Sequence, residues 1–295
     1  MNVFVTGATG FIGSAVVREL LSAGHQVLGL TRSDVGAKLL VDAGAKVHRG
    51  DLEDLESLRS GAKLSDGVIH LAFNHDFSNW TANCEMDRRA IEALGFSLAG
   101  SDRPLVITSG TLMASTPGRP STEEDAPNSP VPRVASEVTT MSLASQGVRA
   151  AVMRLPQVHD TFKQGLVTFL ISIAREKGVS AFVGDGRNRW AAVHVHDAAR
   201  LYRLALEKTS AGARYHAVAE EGVPLRDIAD VIGRGLKVPV VSKSPKEAAD
   251  HFGFLGHFVR ADGPSSSAQT QERLGWRPTG PGMLTDLENM KYFEA

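Results

Sequence analysis

Short apolar runs alternate with longer segments in which apolar residues recur at helical spacing, and this alternation continues over the first 160 residues. The apolar runs predict strands at residues 3–6, 26–31, 46–49, 67–72, 105–108 and 150–155. The longest helices are predicted at residues 80–98 and 133–146. Strands that alternate with helices in this way predict an α/β fold, with a Rossmann-type doubly wound parallel sheet covered by helices on both faces.

The pattern changes after residue 158. Residues 213–218 favour a strand that returns to the large sheet, whereas residues 225–235 and 238–241 favour a helix and a strand of a separate unit. We therefore predict two structural units. A dinucleotide-binding domain spans residues 1–158 and is completed by about 191–218, and a smaller α/β substrate lobe spans 159–190 and 219–295.

A glycine-rich turn, Gly7-Ala8-Thr9-Gly10-Phe11-Ile12-Gly13, lies between the first strand and the first helix. This is the context in which such glycines bind a dinucleotide. The first glycine permits the tight turn, the second lets the backbone approach a pyrophosphate at the helix N-terminus, and the third lets helix and strand pack closely. A tight turn without a ligand is the alternative. The predicted cofactor contacts here are Thr6, Gly7, Thr9, Gly10, Phe11, Ile12 and Gly13.

The end of the second strand bears on which cofactor binds. A site that prefers NAD places an acid there to accept a hydrogen bond from the ribose 2′-hydroxyl. This chain has Thr31-Arg32-Ser33 instead, and a guanidinium with a hydroxyl suits a 2′-phosphate. We predict that NADP(H) is preferred, with NAD(H) as the alternative because Asp34 follows directly.

The composition narrows the range of partners. The net charge of −1, from 32 basic and 33 acidic residues, gives no support to nucleic-acid binding. The chain enters a strand directly after Met1-Asn2, and no apolar run approaches the roughly 20 residues needed to cross a bilayer. Its single cysteine, Cys84, cannot form an internal disulfide. We expect a cytoplasmic protein that acts on a small molecule and has no membrane partner.

Several short motifs together resemble the extended short-chain dehydrogenase/reductase superfamily, in its NAD-dependent epimerase/dehydratase-like branch. The resemblance spans nearly the whole chain, but only its glycine-rich motif is specific for a cofactor. It rests on residues 6–13, Gly50-Asp51-Leu52, His70-Leu71-Ala72, Thr108-Ser109-Gly110, Arg154-Leu155-Pro156-Gln157-Val158, His194-Val195-His196-Asp197 and Leu274-Gly275-Trp276-Arg277-Pro278.

The resemblance implies further cofactor contacts. Asp51 and Leu52 would hold the adenine, although Asp51 is also a candidate helix N-cap. Leu71 and Ala72 would lie along the cofactor behind the fourth strand. The remaining implied contacts are Thr108, Pro156 and Val158, the last two at the nicotinamide end.

The usual proton donor of this superfamily is missing from the sequence. Its members normally use a Tyr-x-x-x-Lys pair, and neither Tyr202 nor Tyr215 is followed four residues later by lysine. At the expected position, after a proline-rich loop over residues 115–132, the chain has Arg133 and Glu137. Arg133 does not release a proton but could hold a developing oxyanion, and Glu137 could accept from the nicotinamide ribose. The alternative is an ion pair on a helix surface.

Other polar residues are candidates for the reaction. Ser109 and Thr111 are the hydroxyls nearest to the expected catalytic serine position, where Gly110 stands, and they could equally bond the local backbone. His75 follows the fourth strand, and Lys163 follows the sixth. Both are candidate proton donors, ranked above His159. His194 and His196 offer too few ligands for a metal, so no metal site is predicted.

These features predict an NADP(H)-dependent oxidoreductase that acts on a small carbonyl or alcohol. A sugar-nucleotide epimerase or dehydratase is one alternative, disfavoured because that chemistry needs a reversible base at a sugar hydroxyl. A non-catalytic NADP(H)-binding sensor is the other, because the dinucleotide motif is present while the acid is missing. The resemblance and the two long helices at 80–98 and 133–146 also predict a homodimer.

Overall fold

The structure, a computed structural model, describes residues 1–290. Its strands are β1 (Asn2–Thr6), β2 (Gln26–Thr31), β3 (Lys46–Arg49), β4 (Gly67–His70), β5 (Leu105–Gly110), β6 (Ala150–Leu155), β7 (Gln157–His159), β8 (Ser180–Val183), β9 (Arg189–His194), β10 (Arg214–His216), β11 (Glu220–Pro224) and β12 (Val240–Lys243). Its helices are α1 (Phe11–Ser22), α2 (Asp34–Asp42), α3 (Leu55–Lys63), α4 (Trp80–Leu98), α5 (Val134–Ser145), α6 (Val167–Lys177), α7 (Val195–Lys208), α8 (Leu225–Leu236), α9 (Ala248–Phe252), α10 (Ala268–Leu274) and α11 (Met283–Glu288).

The main sheet contains seven parallel strands in the order β3-β2-β1-β4-β5-β6-β10. The chain builds outward in one direction from β1 and in the other from β4, so the strand order reverses between these two strands. A crevice at such a switch point, outside the carboxyl ends of the strands, is where open α/β sheets bind ligands. The predicted α/β fold with a Rossmann-type parallel sheet is confirmed.

Helices cover both faces of the main sheet. Because successive residues of a strand point to opposite faces, neighbouring residues belong to different cores. Val3 and Val5 belong to the core that includes α1 and α7, whereas Phe4 belongs to the core that includes α3, α4 and α5. Burial on both faces explains why the strands are nearly continuous apolar runs in the sequence.

A smaller part of the protein is built on two short sheets. One has the order β11-β9-β7, and in the other β12 pairs with β8 in parallel. Residues of α6, α8 and α11 surround Trp190 in a separate hydrophobic core. Leu274 and Trp276, although late in the chain, belong to the core of the main sheet.

Two differences from the predicted elements matter for the site. β4 ends at His70 rather than at residue 72, because the N–H groups of Leu71 and Ala72 donate to the hydroxyl of Thr6. The helix predicted from residue 133 begins at Val134, so Arg133 is the residue that precedes it. Within residues 1–290, no helix combines the length and the apolar character needed to span a membrane.

Candidate active site

The glycine-rich turn requires its glycines. Gly7 has a φ of 65°, and a Cβ there would lie 2.7 Å from the backbone nitrogen of Ala72. A Cβ on Gly13 would lie 1.9 Å from the carbonyl oxygen of Gly7, which also accepts a hydrogen bond from the Gly10 N–H at 3.0 Å. The turn is therefore packed against β4 on one side and against its own helix on the other.

The N-terminus of α1 fits the phosphate of a dinucleotide. Gly10 occupies the N-cap position, no side chain caps the helix, and its first turn contains no acidic residue. The first N–H groups of a helix need an acceptor, and the positive end of the helix dipole favours an anion. A pyrophosphate supplies both, which is consistent with the predicted contacts over residues 9–13.

Thr6 has a different part in the site from the one expected. It is completely buried, and its hydroxyl accepts from the N–H groups of Leu71 and Ala72, each at 3.2 Å. Its Oγ1 also lies 2.7 Å from Nδ1 of His70. Thr6 thus holds the end of β4 beside the glycine-rich turn, and it is Leu71 and Ala72 that are partly exposed there.

The predicted 2′-phosphate site contains one arginine that is free to bind. Arg32 is exposed, and within residues 1–290 its side chain forms no hydrogen bond or ion pair. The Ser33 hydroxyl accepts from the N–H of Gly36 and caps α2, and Thr31 is buried. Asp34 pairs with Arg49 at 2.5 Å. The acid that could favour NAD is therefore already engaged by a cation.

The predicted adenine site keeps one carboxylate available. Oδ1 of Asp51 accepts from the N–H groups of Glu53 and Asp54, at 2.9 and 3.1 Å. The N-cap of α3 is Asp54, which accepts from the N–H of Ser57. The alternative that Asp51 caps this helix is therefore wrong, because Asp51 closes the preceding turn and leaves its second oxygen for a ligand.

The other implied cofactor contacts lie around the ends of β5 and β6. Pro156 is partly exposed, whereas Val158 is buried in the main core. The hydroxyl of Thr108 donates to the carbonyl of His70 at 2.8 Å, so the hydroxyl of Tyr202, at 2.7 Å, donates to Thr108. Tyr202 is completely buried, and burial raises the pKa of its phenol. It is no substitute for the missing tyrosine acid.

Arg133 lies at the junction of three elements. Its Nη1 donates to Asp87 of α4 and to Ser136, and its Nη2 donates to the carbonyl of Thr108 at 2.8 Å. The guanidinium carbon also lies 4.2 Å from the ring centre of Phe73. These contacts use three of the five N–H groups of a guanidinium, so two remain for a ligand. The side chain is 11% exposed and is fixed rather than solvated.

Asp87 is the buried partner of Arg133. Burial would raise the pKa of this carboxyl, but Arg133, His70 and Ser136 together outweigh it and lower the pKa to about 2. Asp87 is therefore a carboxylate and only accepts, so Nε2 of His70 donates to it at 3.1 Å. Nδ1 of His70 is then the acceptor for the Thr6 hydroxyl. A buried chain of hydrogen bonds thus joins the glycine-rich turn to Arg133.

Glu137 does not lie beside Arg133 in the cleft. It is completely buried, and its carboxylate accepts from Nε and Nη2 of Arg154 at 3.0 and 2.5 Å and from Nε of Arg214 at 2.7 Å. Arg154 donates further to the carbonyls of Thr122 and Asp125 in the proline-rich loop. The expectation that Glu137 binds the nicotinamide ribose is not supported, because both of its oxygens are engaged inside the protein. The alternative, an ion pair between Arg133 and Glu137 on the helix surface, is also wrong, because Arg133 pairs with Asp87 and Glu137 pairs with Arg154 and Arg214.

The two candidate hydroxyls are both buried. Oγ of Ser109 has no hydrogen-bond partner within residues 1–290, and Thr111 is only 3% exposed. An unpaired buried hydroxyl is unusual, because each one costs free energy unless a ligand or water satisfies it. Ser109 therefore keeps its place among the candidates, next to Gly110 at the end of β5.

The candidate proton donors fall into two groups. Part of the His75 side chain is open to solvent, and desolvation of the rest, followed by the positive charge of Arg133, lowers the pKa of its imidazole. Lys163 is also exposed, with Nζ 5.8 Å from the ring centre of Phe11 at the start of α1. His159 is fully buried, with Nδ1 2.7 Å from Asp286, and burial lowers its pKa to about 4. Only the first two residues are open to a ligand.

Three parts of this site were not identified from the sequence, and they are Asp87, His70 and the aromatic residues around Phe73. Asp87 has a signal in the sequence, since it is an acid among the small and apolar residues on the inner face of α4. No prediction was made for Asp87, and its spacing on α4 could not have identified its partner Arg133, which is 46 positions away.

The chain is similar to proteins of known families along nearly its full length. A model of the NAD dependent epimerase/dehydratase family matches residues 3–219. An uncharacterized protein of Schizosaccharomyces pombe is 52% identical over 99% of this chain and 100% of its own length. A sterol-4-alpha-carboxylate 3-dehydrogenase (decarboxylating) of Dictyostelium discoideum is 27% identical, over 76% of this chain and 73% of its own. A UDP-glucose 4-epimerase of Streptomyces lividans is 25% identical, over 93% and 91%.

Solved structures show the same fold. A dTDP-glucose 4,6-dehydratase from Streptomyces venezuelae, with NAD bound, has a TM-score of 0.79 at 20% identity and covers 99% of this chain and 96% of its own. A UDP-glucose 4-epimerase from Thermotoga maritima has a TM-score of 0.78 at 22% identity, over 100% and 98%. At these identities the likeness establishes the fold, and the chemistry must be argued from the residues of this chain.

Proposed function

Because the chain belongs to the NAD dependent epimerase/dehydratase family, we propose that it is an NADP(H)-dependent oxidoreductase that reduces a small organic carbonyl or oxidises the corresponding alcohol. The family and its nucleotide-binding fold were anticipated by the resemblance in the sequence. The proposal adds the preferred cofactor, the kind of substrate and the manner of catalysis.

The observation that carries the proposal is the placement of Arg133. It is fixed by Asp87 and the carbonyl of Thr108, and it retains two N–H groups for a ligand. A bound nicotinamide supplies or accepts the hydride. Arg133 would hold the negative charge that develops on the carbonyl oxygen, in the manner of an oxyanion hole, since it cannot supply the proton. His75, Lys163 or water would supply it.

The cofactor preference is supported by the surroundings of Arg32. Its guanidinium is exposed and has no partner in the described part of the chain, while Asp34 forms an exposed ion pair with Arg49. A 2′-phosphate would meet one free guanidinium and the Ser33 hydroxyl, which can still donate. The ribose hydroxyl of NAD would find no free acid.

A second candidate, sugar-nucleotide epimerisation or dehydration, is favoured by the names of several relatives and structural neighbours. The sterol dehydrogenase, by contrast, is named for oxidation of a sterol carboxylate. In this chain neither Arg133 nor the buried Glu137 is a reversible base for a sugar hydroxyl. This absence favours simple hydride transfer.

Purified protein should oxidise NADPH in the presence of a panel of small aldehydes and ketones, followed by the loss of absorbance of the reduced cofactor. It should leave UDP-glucose and dTDP-glucose unchanged. Conversion of either sugar nucleotide would favour the second candidate. Tight NADPH binding without any turnover on the whole panel would instead favour the sensor.

The homodimer is also a proposal, supported by the packing of α4 against α5. Each helix leaves an exposed apolar residue, Phe96 at 59% and Val138 at 54%. Burial of this surface would favour association across a two-fold axis. Sedimentation at micromolar concentration should give the mass of a dimer, and Val138→Glu should shift it toward the monomer. A monomer for the unaltered protein would contradict the proposal.

A further inference from the structure

A row of aromatic side chains begins at Arg133 and crosses from the main domain to the smaller lobe. We call this row the aromatic wall, and it consists of Phe73, Phe77, Trp80, Phe169 and Phe254. Phe73 contacts the guanidinium of Arg133 at 4.2 Å from its ring centre. The wall is therefore continuous with the group that we place at the reacting oxygen.

The rings of the wall pack on one another in a regular way. Phe77 is stacked between Trp80, with ring centres 5.1 Å apart, and Phe254, at 4.3 Å, with interplanar angles of 14° and 22°. Phe169 meets both Phe77 and Phe254 edge-on, at 6.3 and 5.3 Å. Stacked and edge-to-face pairs at these distances are favourable geometries, so a further flat ring could join the set at a similar gain.

The wall is built from segments that are far apart in sequence. Phe73, Phe77 and Trp80 lie where the chain passes from β4 to α4, at the carboxyl edge of the main sheet. Phe169 belongs to α6, and Phe254 to a short turn after α9. The two parts of the protein thus meet through aromatic rings, one of which also contacts Arg133.

The wall is incompletely covered by protein. Phe169 is 39% exposed and Phe254 is 43% exposed. Exposed aromatic surface is unfavourable in water, and burial of such surface against an apolar ligand would be favourable. The rings offer only the indole N–H of Trp80 as a hydrogen-bond donor, which is insufficient for the several hydroxyls of a sugar.

We infer that the substrate is an aromatic carbonyl compound, whose ring packs on the aromatic wall while its carbonyl oxygen meets Arg133. The inference rests on the proposed reductase function and names its substrate class. The ring fixes the position of the carbonyl, and the guanidinium stabilises the charge that forms on its oxygen. The aromatic wall is then the part of the site that determines specificity.

Two aldehydes of equal carbon skeleton provide the test, benzaldehyde with its flat ring and cyclohexanecarbaldehyde with its puckered one. We expect kcat/KM with NADPH to be about tenfold higher for the flat substrate, in line with one or two additional aromatic contacts. Phe73→Leu and Trp80→Leu change the two wall residues nearest to Arg133, and they should raise KM for benzaldehyde about three- to tenfold while hardly affecting the puckered substrate. Phe96→Leu, outside the wall, should leave both substrates unaffected. Equal use of both aldehydes, or no response to the wall variants, would overturn the inference.

A binding measurement separates this inference from the reductase proposal. Benzamide, which is not reduced, should quench the fluorescence of Trp80 in the presence of NADP+, because Trp80 is in the wall while Trp190 and Trp276 are buried in the two cores. Trp80→Phe should abolish the quenching, and Phe73→Leu, which changes the ring next to Arg133, should weaken benzamide binding about three- to tenfold. Quenching of this kind without turnover of any carbonyl would support the wall and contradict the reductase. Turnover of aliphatic carbonyls without quenching would contradict the wall alone.

Discussion

Two buried carboxylates on neighbouring helices, Asp87 on α4 and Glu137 on α5, are both paired with arginine and yet belong to different kinds of site. Asp87 accepts from Arg133, which retains free N–H groups and contacts Phe73. Glu137 accepts from Arg154 and Arg214, and Arg154 continues to backbone carbonyls of the proline-rich loop. Both carboxylates are fully buried, and the difference lies in their arginines. Arg133 keeps two N–H groups unused, whereas Arg154 is itself fully buried and donates only inside the protein.

The difference shows that two residues spaced i, i+4, such as Arg133 and Glu137, need not belong to the same site. Arg133 precedes the helix, so its side chain extends toward the end of β5, whereas Glu137 lies one turn later on the inner face. A carboxylate inside a protein is tolerated only when its charge is fully paired. Arg154 and Arg214 pair with Glu137 inside the protein. Arg133 pairs with Asp87 and still has N–H groups that a ligand could use.

Among the substitutions that distinguish the two carboxylates, Glu137→Ala should cause the largest loss of stability. Arg154, which is completely buried, would lose its carboxylate, and the free energy of unfolding should fall by about 3–5 kcal/mol. Urea unfolding measures this loss. Glu124→Ala, which breaks an exposed pair with Arg273, should cost less than about 1 kcal/mol. Weaker NADPH binding with unchanged stability would restore Glu137 as a ribose ligand and erase the contrast with Asp87.

Arg133→Ala should act mainly on turnover. Loss of an oxyanion-stabilising donor lowers kcat by about 10²–10³-fold, while the dissociation constant for NADPH should change less than about threefold. Arg88→Ala on the exposed face of α4 provides the matched control. If Arg133→Ala only lowers stability and the remaining folded enzyme turns over normally, then both arginine–carboxylate pairs are structural and the proposed mechanism is wrong.

Arg32 differs from Arg133 and Arg154 because no carboxylate in the described part of the chain pairs with it. Because nothing in the described part of the chain neutralises it, Arg32→Ala should weaken NADPH binding about 30-fold, close to the 2 kcal/mol of a charge-assisted contact. NADH binding should remain nearly unchanged. Titration calorimetry with both cofactors measures the two affinities, and equal losses would argue against a 2′-phosphate site. Arg18→Ala, an exposed arginine on α1, serves as the control.

The smallest expected effect is a pH dependence of stability that belongs to Asp87. The folded-state pKa of about 2 lies below the ordinary value of 3.8, so this carboxylate stabilises the fold above about pH 4 and loses that contribution as pH falls toward 2. The difference in unfolding free energy between the natural protein and Asp87→Asn should therefore shrink by about 1 kcal/mol from pH 6 to pH 3. Asp102→Asn, at an exposed pair, should show no comparable trend. A constant difference for Asp87→Asn would mean that its pKa is not lowered by folding.

The sheet and the cofactor turn were predictable because their signals are local. Strands β2, β3 and β6 start and end at the predicted residues. For β2 and β6 the signal is a nearly continuous apolar run, because both strands are buried between helices. The steric need for Gly7 and Gly13 arises from contacts with the strand and helix that flank the turn and with the end of β4.

The candidate reaction site was only partly predictable, because its pairings join distant parts of the chain. The sequence marked Arg133 as unusual, but its partner Asp87 lies on another helix, and the partners of Glu137 lie on β6 and β10. The N-cap of α3 also depends on backbone geometry, which sequence does not give. Asp54 has the N-cap position, and Asp51 does not. Residue type and spacing do not contain this information.

The bond between Asp87 and Arg133 also constrains how the sequence can change. A single replacement of Arg133 by tyrosine would leave the carboxylate of Asp87 without its arginine, at a cost of about 3–5 kcal/mol. Replacement of Glu137 by lysine would set a third cation beside Arg154 and Arg214. Each step toward the familiar catalytic pair therefore passes through a damaged protein unless a neighbour changes with it. Because of this coupling, a tyrosine at position 133 and a lysine at position 137 could be accommodated only together with compensating changes, the first of them at Asp87.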